Sequence, residues 1–181
     1  MNARPASLVI LGVDPGLRQT GLGLVRAEGS EIRFAGSAVL PTSAKHPLST
    51  RLRNLFAGLL QALHEWSPQV VVVEKLIYAR NAQVAMTLGH VRGIVLLAAA
   101  QSGLTIAEYT PAEIKRAVTG TGAASKEQVQ RMVKAILQVP HLRSPYDVTD
   151  ALALAICHAH RRAGKVASRS ATRRRSFPAN A

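Results

Sequence analysis

Apolar and polar positions follow different periods along this chain, and each period predicts an element. LVILGVD, residues 8 to 14, is apolar at nearly every position and stops at a carboxylate, Asp14, just ahead of a glycine-rich turn. A strand buried on both faces has this look. LGLV (22 to 25) and EIRFAGSAVL (31 to 40) predict two more strands, joined by RAEGS, a connection of hairpin length containing glycine. Leu52, Leu55, Phe56, Leu59, Leu60 and Leu63 then recur at helical spacing behind Ser49, which predicts a capped helix lying over a sheet. After the break at Ser67 and Pro68, the four valines of QVVVVEKL predict a central strand.

Residues 81 to 102 predict a long helix with apolar residues on more than one face, so that it buries two sides. Gly89 and Gly93, four apart on it, would let a second backbone come close. LTIAEY (104 to 109) predicts the last strand. Thr110 with Glu113, Ser125 with Gln128, and Ser144 with Asp147 each fit a capping box that opens a helix. Three strands on short turns, then helix, strand, helix, strand and helices, predict an α/β chain: a five-stranded mixed sheet, three antiparallel strands followed by parallel ones, with helices on both faces.

Charge changes the picture next. The chain carries 23 Lys and Arg against 10 Asp and Glu. Seven of the basic residues lie in residues 161 to 181, which hold no acid and few apolar side chains and are expected to form a disordered arm. Residues 1 to 160, expected to be one domain, still hold 16 basic against 10 acidic residues, or +6. Such an excess points to a polyanionic partner, nucleic acid first. A single cysteine, Cys157, permits no intrachain disulfide and suits a reducing compartment. The apolar run before Asp14 is too short for a signal core or a membrane span, and a cytoplasmic protein without a membrane role is expected.

Within this basic chain a few acids stand at telling places. Asp14 ends one apolar strand and Glu74 another, so parallel neighbours would bring both out at one edge of the sheet, where ligands of α/β sheets collect. Asp147 and Asp150 are three apart and share a face of the last helix. Simpler readings exist. Asp14 before Pro15 and Gly16 also suits a turn, and Asp147 also suits the third position of the box opened by Ser144. Asp150 is harder to explain that way, because Ala151 to Ile156 behind it form an apolar run that must be buried.

Two carboxylates about 4 Å apart repel by roughly 4 kcal/mol at an effective dielectric near 20. A cluster of four therefore needs cations. Oxygen donors favour Mg²⁺ or Mn²⁺ over zinc, and a pair of such ions is what in-line phosphodiester cleavage uses. A basic protein with an acidic pocket reads as a nuclease. Cys157, His158 and His160 read as packing and a wet helix end, not as a metal tract.

GVDPGLRQTGLGLV, VVVEKLIYARN, YTPAEIKRAVTGTGAASKEQVQ and DVTDALALAICHAH, in this order and spacing, resemble the RuvC family of Holliday-junction resolvases over about residues 8 to 160. The resemblance implies a ribonuclease-H-like fold and a homodimer that cuts two opposed strands of a four-way DNA junction, with two Mg²⁺ or Mn²⁺ ions per site. It implies that Asp14, Glu74, Asp147 and Asp150 bind the metals, and that Lys115 and Lys126 lie near the DNA backbone. The family's junction-inserting aromatic would fall at Ile77, with Tyr78 beside it, so the wedge is left between these two. Arg80 and Asn81 are expected at bases or phosphates. For the basic tail two partners stay open, DNA and the branch-migration motor complex. Two rival classes also stay open: an actin-like ATPase, because Asp14, Gly16 and Gly21 resemble its first phosphate loop, and a junction-binding module without catalysis.

Overall fold

A computed structural model describes residues 7–75, 82–142 and 145–175. Five strands form one sheet: β1 (Leu8–Asp14), β2 (Gln19–Glu28), β3 (Glu31–Pro41), β4 (Val70–Glu74) and β5 (Thr105–Tyr109). Their order is β3-β2-β1-β4-β5. β1 and β2, and β2 and β3, run antiparallel, whereas β4 is parallel to both β1 and β5. This is the mixed sheet expected. β1 and β4 are interior strands, which is why Ile10, Leu11, Val13 and all four valines of β4 are buried whichever face they take.

Side-chain alternation divides the core in two. Leu11, Val13, Val71 and Val73 pack under α1 (Leu48–Trp66) and α2 (Ala82–Gln101). Ile10, Val70 and Val72 pack under α5 (Tyr146–Arg175), against which α3 (Pro111–Thr119) and α4 (Lys126–Ile136) lie. On α5 every residue from Ala151 to Cys157 is buried. It sits close because the floor beneath it is glycine. A Cβ on Gly12 would fall 1.8 Å from the carbonyl oxygen of Ala151, one on Gly21 2.1 Å from that of Asp147, and one on Gly23 2.6 Å from the nitrogen of Leu152. Gly12 pairs with Gly23 and Asp14 with Gly21, so the bare patch lies beside Asp14.

Thr110 and Glu113 close a reciprocal box on α3, and Ser125 and Gln128 on α4, as their sequences predict. Ser144, offered as the cap of α5, falls outside the described residues. Four expectations change. β2 runs from Gln19 to Glu28, well beyond LGLV, because β1 and β3 pair with it along nearly its whole length. Ser49 caps nothing; α1 starts after Pro47 with no side-chain cap. In this chain α2 buries one side only, through Val91, Val95, Ala98 and Ala99, and leaves Val84, Met86 and Leu97 exposed. By length and composition alone α2 could cross a membrane. Finally, α5 stays helical through Arg175, where a disordered arm is expected after residue 160. Its Ala, Arg and Lys are strong helix formers, and the first proline beyond is Pro178.

Candidate active site

β1 and β4 are parallel with Val13 opposite Val73, so Asp14 and Glu74 leave the sheet at the same edge. Alternation aims both at the α5 face: Asp14 continues the set of Ile10 and Gly12, and Glu74 that of Val70 and Val72. α5 starts over the glycine floor beside them, with Asp147 and Asp150 in its opening turns. Asp14, Glu74 and Asp150 line a cavity of about 280 Å³ together with Lys115 of α3 and Lys126 of α4. A larger cleft of about 650 Å³, between Glu31–Phe34 and the end of α4, lies toward the opposite end of the sheet and gathers no carboxylates beyond Glu31.

The electrostatics are those of an underneutralised acidic cluster. Burial, then the charges of Asp150, Asp147 and Glu74, raise the pKa of Asp14 from 3.8 to about 7, with Lys126 opposing. Burial, then Asp150, pushes Glu74 up, and burial pushes Asp150 up against the pull of Lys126. Asp14 feels all three other acids and is the hub of the group. Counterions from the protein are few. Lys126 Nζ stands 3.6 Å from Asp150 Oδ2, but its side chain is 71% exposed, so this pair contributes little stability. Asp147 is engaged from the side: Gln19 Nε2 donates to its Oδ2. Among the described residues no three His, Cys, Asp or Glu side chains form a ready metal cage. With Gln19 and Lys126 holding two of the acids, and mutual repulsion acting on all four, a closed cage without cations is not expected.

Of the sequence-predicted residues, the four acids meet at one end of the sheet and Lys115 and Lys126 stand at the cavity. Ile77, Tyr78, Arg80 and Asn81 lie outside the described residues. Cys157, His158 and His160 go elsewhere: Cys157 is buried with its thiol raised to about 11 by burial, His158 Nδ1 bonds the Tyr109 hydroxyl at 2.9 Å, and His160 Nδ1 bonds the Ala117 carbonyl at 2.8 Å. Two site-supporting residues escape a sequence reading. One is Gln19. The other is Arg92 of α2, whose Nη1 donates to the backbone oxygen of Glu74 at 2.6 Å while Nη2 pairs with Glu108. The available signal for Arg92 was a lone cation in the apolar middle of a helix.

The family model described as crossover junction endodeoxyribonuclease RuvC matches residues 10–158. A curated crossover junction endodeoxyribonuclease RuvC from Desulforamulus reducens is 45% identical over 152 residues, covering 84% of this chain and 93% of the relative. The solved RuvC of Thermus thermophilus aligns with a TM-score of 0.79 at 36% identity, covering 87% of this chain and 97% of that one. The same Thermus protein in complex with Holliday junction substrate aligns at 0.83 and 34% identity, covering 87% and 96%. The acidic edge built by β1, β4 and α5 thus stands in a ribonuclease-H-like fold, and the chain belongs to the RuvC family of crossover junction endodeoxyribonucleases.

Proposed function

We propose that Asp14, Glu74, Asp147 and Asp150 are the metal-binding catalytic acids with which this chain resolves four-way DNA junctions, and that it does so as a homodimer. The observation that carries the reading is the placement of Asp14 and Glu74 on adjacent parallel strand ends, on one face, with Asp150 lining the same cavity. The donor set is all oxygen and short of positive charge, which suits two Mg²⁺ or Mn²⁺ ions. When bound, such ions supply an activated water and stabilise the leaving oxygen of an in-line displacement.

The protein's own residues do the rest. Asp14, central to the cluster, is the acid both ions would share. The glycine floor fixes α5, and so Asp147 and Asp150, at a set height above β1. Gln19 donates to one oxygen of Asp147 and so restrains the rotation of its carboxylate beside the cluster. Lys115 and Lys126 stand at the rim, where their ammonium groups can take the phosphates flanking the cut and hold the strand for attack. Ile77 and Tyr78 remain the candidates for the junction wedge, with Arg80 and Asn81 as DNA contacts.

The second copy would cover the outer side of α2. Met86 and Leu97 are exposed there, and a Cβ on Gly89 or Gly93 would meet no atom within 4 Å. An apolar face beside small residues is what a symmetric helix contact uses, and a two-fold axis would give two sites for two nicks. A cytoplasmic setting fits such a substrate. The basic end of the chain adds charge for DNA or for the branch-migration motor.

A labelled synthetic four-way junction and a matched linear duplex, each incubated with the protein and Mg²⁺ or Mn²⁺, test the reading. Paired symmetric nicks are expected in the junction only, and only with the metal. Asp14→Asn is expected to lose cleavage while retaining junction binding. Cleavage by that variant at the parent's rate would refute the site.

A further inference from the structure

We infer that Arg92 is a positioning residue that sets the Glu74 carboxylate from the far side of the sheet. The inference rests on Glu74 being a metal ligand. Pairing of β1 with β4 ends at Val13 and Val73, and the residue after Asp14 is Pro15, which has no N–H to donate. On the other side the Lys75 N–H is spent on the Tyr109 carbonyl at 2.8 Å. The Glu74 carbonyl therefore lies past the end of the β1–β4 ladder, at the residue whose side chain must be held still.

Arg92 supplies the donor. Its side chain is 14% exposed, and its two terminal nitrogens divide between the Glu74 carbonyl and the carboxylate of Glu108 on β5. Glu108 pairs with Val73 across β4 and β5, so the guanidinium ties the ends of both strands to α2. A planar fork can serve two acceptors at fixed angles, and a lysine cannot. The half-buried carbonyl would lose its partner with the arginine, and Glu74 would gain freedom to rotate about its own backbone. Because α2 also carries the exposed apolar face, the same bond links the placement of that helix to the acidic edge.

Arg92→Met, Arg92→Lys and Glu74→Gln, measured beside the parent, test this. Mn²⁺ binding to the DNA-free protein is followed by electron paramagnetic resonance, and the Mg²⁺ half-saturation of junction cleavage is measured separately. Arg92→Met is expected to weaken both by about tenfold, the scale for losing a group that orients a metal ligand, while junction affinity without divalent metal stays unchanged. Arg92→Lys is expected to restore part of the loss. Unchanged metal binding in Arg92→Met, with Glu74→Gln deficient, would overturn the inference alone; unchanged metal binding in Glu74→Gln would overturn the site assignment beneath it. If Arg92→Met melts well below the parent, Glu108→Gln decides by the same readouts. It keeps the donor to Glu74 but frees the fork, and a loss of about threefold is expected; none would overturn the inference.

Discussion

The two faces of the sheet hold their helices by opposite means. Under the start of α5, Gly12, Gly21 and Gly23 leave a patch without Cβ atoms, and there the helix backbone rests on the strands themselves. Under α2, ordinary side chains separate the layers, Val91 and Val95 packing over Val71 and Val73, while the outer side is left open. The difference follows from what each face must deliver. α5 carries Asp147 and Asp150 and has to bring them to Asp14 with little tolerance, which a backbone contact provides. α2 has an apolar outer side and needs only to hold its layer, with Arg92 as its reach to the acidic edge.

The largest effect expected from breaking this contrast is at Gly12. In Gly12→Ala the new methyl meets a backbone carbonyl that cannot rotate away, and the cost is about 3 kcal/mol, the upper end for overpacking. Denaturant unfolding would measure it, and cleavage is expected to fall with it as α5 lifts from β1. A smaller effect belongs to the other face. Leu97→Glu places a charge on the outer side of α2 and is expected to weaken the proposed self-association by about 2 kcal/mol, roughly 30-fold, with the fold of the protomer intact. Sedimentation would show this, and junctions would then be nicked once where the parent cuts twice. A variant that self-associates like the parent would remove α2 from the dimer contact.

Much of this was legible in the sequence because the informative residues act locally. The apolar runs of β1 and β4 each end in an acid, and the boxes at Thr110 and Ser125 name their helices. Parallel pairing of those two strands then brings the acids together. What was not legible depends on approach in space. That Gly12 and Gly21 are a floor for α5 requires Ala151 and Asp147, more than a hundred residues away. The bond from Gln19 to Asp147 spans 128 positions. β2 outruns its apolar segment because neighbouring strands, not its own pattern, extend it. The two apolar sides of α2 suggested two buried sides; among the described residues of one chain, only one of them is covered.

Thermal unfolding of the DNA-free protein between pH 5 and pH 8, with and without Mg²⁺, tests whether the acidic edge is held together at a cost that divalent ions relieve. Asp14 has its folded pKa raised from 3.8 to about 7, so the folded state holds this proton more tightly than the unfolded chain. Stability from this group is therefore lost as pH rises between about 4 and 7, by up to about 4 kcal/mol. The parent is expected to melt progressively lower toward pH 8 without metal and to recover when Mg²⁺ is added, whereas Asp14→Asn shows a shallower slope and little response to the ion. Identical slopes and identical Mg²⁺ responses in the two proteins would contradict the account.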